Sequence, residues 1–146
     1  MQTRNRVLAG IGLVGAVLVM AAVASAGAAT TLKPPVVKEV FTPQKCNQGQ
    51  TTLGTEGCAE QQILKSDKTI DSLNAKIFTK LSTSGKKDFI TGHDAWLKYR
   101  AAYCLSESDV YQGGTAAGII DAQCTANISA VHVKELQDFL ASLNEN

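Results

Sequence analysis

The sequence predicts an all-α fold: a small three-helix, disulfide-stapled domain that follows an N-terminal signal peptide and an extended lead-in. Three observations predict it. Apolar residues recur at helical spacing in three separate stretches, a glycine- or serine-rich break ends the first two of them, and four cysteines stand in a chain that starts like an export signal. The 146 residues suffice for one such domain and not for two ordinary ones.

The first element is one to be removed. Arg4 and Arg6 precede an uncharged run over residues 7–29, whose apolar centre spans 7–20. Ala24-Ser25-Ala26 then supplies the small-x-small pattern that signal peptidase seats in its active site, so residues 1–26 read as a signal peptide. Ala26-Gly27-Ala28 offers a second register. An uncleaved anchor needs about 20 apolar residues; Gly10, Gly12, Gly15 and the Ala-x-Ala end favour cleavage. No cysteine lies near the end of the run to accept a lipid. The expectation is an exported protein, periplasmic or secreted, with no membrane span after cleavage. Loss of Arg4 and Arg6 leaves 12 basic residues against 13 acidic ones, moving the net charge from +1 to −1. Near-neutrality argues against a partner held by a basic surface, so nucleic acid is not expected.

Residues 27–50 hold all three prolines (Pro34, Pro35 and Pro43) and show no helical period. They read as an extended, partly flexible lead-in that Cys46 ties to a helical domain over 51–146. The first helix is predicted over about 56–82, where Ile63, Ile70, Leu73, Ile77 and Leu81 form a stripe and Lys65, Asp67, Lys68, Lys76 and Lys80 fill the other face. Ser82-Thr83-Ser84-Gly85 stops it, with Gly85 suited to a left-handed cap. The second helix, about 87–111, carries Phe89, His93, Trp96, Arg100, Tyr103 and Cys104 on one broad stripe that Ile90 and Leu97 widen. Gln112-Gly113-Gly114-Thr115 then turns the chain. The third, about 115–143, has Thr115 as a candidate cap and Ile120, Cys124, Ile128, Val131, Leu136, Phe139 and Leu143 as its apolar line.

Cys46, Cys58, Cys104 and Cys124 are separated by 12, 46 and 20 residues, far from the close pairs that zinc sites use. An even count in an exported chain reads as two disulfides. Four cysteines allow three pairings. The sequential one is favoured: Cys104–Cys124 would join the second and third helices across the Gly113-Gly114 turn, within reach at 1.5 Å of rise per residue, and Cys46–Cys58 would pin the lead-in.

Gly57-Cys58-Ala59, Ser72-Leu73-Asn74, then Trp96-Leu97-Lys98-Tyr99-Arg100 with Cys104, and Gly113-Gly114 with Cys124 stand in the order of a known pattern. Over roughly residues 46–140 the chain resembles the LprI-like lysozyme-inhibitor domain, and the Trp-x-x-Tyr-Arg-x-x-x-Cys piece followed by Gly-Gly and Cys is the specific part. The chain departs from it at Gly57, where the family usually has Asn, and at His132, where a basic Arg is common. The resemblance implies an exported binding protein that inhibits lysozyme-type peptidoglycan hydrolases by occluding the substrate cleft, with lysozyme as partner and no cofactor. The alternative is a cell-envelope structural or interaction protein sharing only the fold.

Residue by residue, the chemistry points to binding. Arg100 shares a stripe with Trp96 and Cys104. It either presents its guanidinium to a partner carboxylate or stacks on an aromatic and bridges Asp71 or Asp121 within the fold. Trp96 reads as a structural core residue. His93 and His132 stand alone, without metal-ligand spacing. Asp67, Asp71, Asp88 and Asp94 lack any accompanying nucleophile or motif and read as solvated carboxylates beside lysines, so no enzyme activity, metal or cofactor is expected. Asn127-Ile128-Ser129 fits a glycosylation triplet by accident within a helix. The turn from Tyr111 through Gln112, Gly113 and Gly114, with the adjoining end of the second helix and Arg100, is the candidate contact surface. A tight aromatic-bearing turn held by a disulfide binds at low entropic cost.

Overall fold

Apolar periodicity resolves into three long helices, α1 (Thr52–Lys80), α2 (Thr83–Asp109) and α3 (Ala116–Glu145). The structure is a computed structural model that describes residues 31–145 except 40, 48, 50 and 113. The signal segment and Gly113 therefore lie outside the described residues. Among the described residues there is no strand, and none of their helices is long and apolar enough to cross a membrane.

The helix starts follow local chemistry. Thr51 Oγ1 accepts the Gly54 N–H at 2.9 Å and Ser82 Oγ accepts the Gly85 N–H at 3.1 Å, each satisfying a donor that the first turn leaves free. Gly85 is thus not the cap of the first helix. Leu81 and Ser82 are extended, with ψ of 147° and 167°, and these two residues alone make the bend. A capping serine starts α2 two residues after α1 ends, which leaves no room for a left-handed glycine.

Packing partners give the topology. Phe89 meets Phe139, Trp96 meets His132, Arg100 meets Ser129 and Cys104 bonds Cys124, so α2 and α3 run antiparallel. Ala59 and Ile63 pack with Ala122 and Ala126, while Ile70, Leu73 and Ile77 pack with Leu136, so α1 and α3 run parallel. The predicted α1 stripe is the core: Ile70 and Ile77 are wholly buried. Three positions on the predicted stripes depart from it, since Tyr103, Val131 and Phe139 are solvent-exposed.

α3 packs more extensively on α1 than on α2. The lead-in lies against the helices and is held at more points than Cys46. The Val37 N–H donates to Asp71 Oδ1 at 2.8 Å, the Pro35 carbonyl accepts from Asn74 Nδ2 at 3.1 Å, and the Gln44 N–H donates to Glu60 Oε2 at 2.6 Å. Val37 and Phe41 pack on the core, and Glu39 pairs with Arg100. Residues 35, 37, 39 and 41 thus turn the same way, the period of two that any extended chain imposes. Cys46–Cys58 closes the segment with Cα atoms 4.3 Å apart. That approach requires glycine on α1: a Cβ at Gly57 would sit 2.5 Å from the Gln44 carbonyl oxygen, and one at Gly54 2.6 Å from that of Asn47. Gly57 is therefore a contact point for the lead-in backbone.

Candidate functional site

Two places hold the residues singled out by the sequence, one buried and one exposed. The buried one centres on Arg100, only 2% exposed. Its Nη1 donates to Asp67 Oδ1 at 2.9 Å and to Ser129 Oγ at 2.7 Å, its Nη2 pairs with the Glu39 carboxylate, and its guanidinium lies 4.7 Å from the centre of the Trp96 ring. The other face of Trp96 is taken by His132, stacked at 4.0 Å. Arg100 spends its donors inside the protein, so it is not a contact residue for a partner, a correction to the sequence reading. The internal partners differ as well: Asp67 and Glu39 hold it, while Asp71 takes the lead-in backbone.

Arginine suits this place because its planar fork reaches several acceptors at once and stacks on an aromatic. The cluster joins the lead-in, α1, α2 and α3 through one side chain. Two carboxylates share one guanidinium, and burial makes their charged forms expensive. Burial pushes Glu39 above the ordinary carboxylate range and Arg100 offsets part of that; Asp67 is raised for the same reason against the same opposing pull. Asp67, expected as a solvated carboxylate, is instead buried, a second correction. Burial also raises Asp121. It lowers His93, with the nearby Val36 backbone offsetting part of the effect. His132 pairs through Nδ1 with Glu135 at 2.9 Å. Among the described residues no group of His, Cys, Asp and Glu could hold a metal ion.

The exposed place is the α2–α3 turn. It is knitted by short-range backbone bonds: Tyr111 N–H to Ser108 O at 2.9 Å, Gln112 N–H to Asp109 O at 3.2 Å and Gly114 N–H to Tyr111 O at 2.9 Å. Bonds that close within three residues hold a turn in one shape. Cys104–Cys124 clamps the helices just below, with Cα atoms 5.4 Å apart. Tyr111, Gln112 and Gly114 are all solvent-exposed. Two large apolar side chains of α2 that the sequence reading does not single out are exposed as well, Val110 at 81% and Leu105 at 66%, and so are Tyr99 and Tyr103. The signal for Leu105 and Val110 is that they are apolar residues off the helical stripe, which no core position explains.

The protein-family model described as lysozyme inhibitor LprI matches residues 44–136. That span takes in all four cysteines, Trp96, Arg100 and the turn. No curated protein and no solved structure matches the chain.

Proposed function

Because this chain belongs to the LprI lysozyme inhibitor family, we propose that it is an exported, non-catalytic protein that binds a lysozyme-type peptidoglycan hydrolase and blocks its substrate cleft with the α2–α3 turn. The observation that carries this reading is a backbone-knitted turn, clamped by Cys104–Cys124, that projects Val110 and Tyr111 into solvent. A convex, pre-ordered turn loses little conformational entropy on entering a concave cleft, and an aromatic is the commonest anchor of such contacts. Inhibition by occlusion needs no cofactor and no turnover. Two disulfides fit the oxidising periplasm or exterior where such hydrolases are met.

With Arg100 buried, the contact is aromatic and apolar in character. The test is lysis of purified cell walls by lysozyme in the presence of the disulfide-bonded mature protein. Stoichiometric loss of lysis is expected. Tyr111→Ala, an exposed position, should weaken inhibition by roughly 30-fold, the scale of a binding hot spot, without lowering the Tm. No inhibition at tenfold excess, or an unaltered Tyr111→Ala variant, would overturn the reading.

A further inference from the structure

Two carboxylates and one guanidinium meet where the lead-in crosses the helices: Glu39 comes from the lead-in, Asp67 from α1 and Arg100 from α2. We propose that Glu39 and Asp67 share one proton while the lead-in is docked, which makes that segment a latch that holds in mild acid and loosens as the surroundings turn alkaline. This goes beyond the proposed inhibition, since none of the three residues belongs to the α2–α3 turn.

Charge balance calls for that proton. Arg100 keeps its own at any pH the protein meets. Two ionised carboxylates against it would leave one unbalanced negative charge, in a cluster where Arg100 and Asp67 are almost wholly enclosed. The surroundings do not supply a second cation. Asp71 on α1 adds its negative charge to that felt by Asp67, and Asp121 on α3 adds to that felt by Glu39. α3 meets the guanidinium with the neutral Ser129 hydroxyl, and His132 lies beyond it on the far face of Trp96.

The hydrogen bonds call for it too. Asp67 Oδ1 accepts from Arg100 at 2.9 Å, while Oδ2 is buried without a donor. The Glu39 and Asp67 carboxyls lie within hydrogen-bonding range of each other. Ionised, they only repel. Protonated, Glu39 donates its O–H to Asp67 Oδ2 and keeps Oε1 on Arg100 Nη2. A third of the Glu39 side chain stays open to solvent, which gives the proton a way in and out.

Lifting the lead-in takes Glu39 into water, where it ionises at the ordinary carboxylate value. Docking therefore takes up a proton. Its hold is complete below the ordinary value and is lost as pH rises through the raised one, and between the two the docking equilibrium falls about tenfold per unit of pH. His93, beside the Val36 backbone, acts in the opposite sense, because its contribution is lost as pH falls.

The test is NMR of the isotope-labelled, disulfide-bonded mature protein, following the Glu39 and Asp67 carboxyl carbons from pH 3 to 9 and the protection factor of the Val37 amide from pH 4 to 8. That amide donates to Asp71 Oδ1 at 2.8 Å and is freed for exchange when the lead-in lifts. The two carbons should move together through one midpoint above the ordinary carboxylate range. Val37 protection should fall about tenfold per pH unit up to that midpoint and level off beyond it. Glu39→Gln sets an NH₂ where the proton lies, so it should keep the protection and lose the fall with rising pH. Three results would each overturn the proposal: carbons that titrate separately at ordinary values, protection that is flat or falls toward acid as His93 alone would make it, and a Glu39→Gln variant that loosens with pH as the wild type does.

Discussion

Arg100→Met replaces the one cation that joins four segments with an uncharged side chain of similar length. It removes the Nη1 bonds to Asp67 and Ser129, at 2.9 Å and 2.7 Å, the pairing with Glu39 and the stacking on Trp96. Asp67 Oδ2 already has no partner, so the variant leaves that carboxylate buried and uncompensated. Removing one partner of a buried ion pair costs about 3–5 kcal/mol, a large part of the roughly 5–15 kcal/mol that holds a domain together. At about 4 °C per kcal/mol for a domain of this size, the Tm should fall by roughly 12–20 °C. Urea and thermal unfolding at pH 7 measure the loss. Without the guanidinium, Glu39 and Asp67 take up protons more readily, so repeating both at pH 5 should shrink the deficit. A loss under about 1 kcal/mol, or one that does not narrow in acid, would refute the view that Arg100 is a structural charge.

Two glycines on different helices should respond oppositely to the same change. Gly57→Ala drives a methyl against the Gln44 carbonyl, 2.5 Å away, and should cost about 1–3 kcal/mol by overpacking, whereas Gly92→Ala, in open space, should stabilise by about 0.5–1 kcal/mol through helix propensity; chemical denaturation separates them. The wild-type pH profile follows from the shifted groups. Glu39, Asp67 and Asp121 are raised in the folded state, so their contribution is fully present below the unfolded carboxylate values and is lost as pH rises through the folded ones. His93 is lowered, so its contribution is complete above its unfolded value of 6.5 and is lost as pH falls through the folded one. The two limbs therefore oppose each other: as pH falls below 6.5 the His93 contribution declines, while that of the three carboxylates grows until the pH passes below their unfolded values. Thermal melts between pH 4 and 8 with an NMR titration of His93 check both limbs, and a profile that only climbs with pH would contradict them.

Much of the candidate site was legible because helical periodicity assigns faces. Arg100 stood out as a charge on an apolar stripe, and the turn stood out through its glycines and aromatic. Its carboxylate partners were not legible. Asp67 sits among Lys65 and Lys68 on the face that looks solvated until the lead-in and α2 cover it. Glu39 lies 61 residues from Arg100, and only a weak alternation of residues 35, 37, 39 and 41, set among prolines, hinted that the lead-in has a buried side. Gly57 gave no sign of its role, because the group it makes room for comes from thirteen positions earlier in the chain.

By itself the sequence determined the three helices, most of their apolar stripes, and a cysteine set suited to two sequential disulfides. These depend on residues within a few turns of one another. Tertiary structure alone decided that α3 is the helix shared by the other two, that the lead-in docks, and which carboxylates hold Arg100 inside. Each of those is a choice among long-range pairings, settled by which arrangement leaves the fewest buried charges and polar groups unsatisfied.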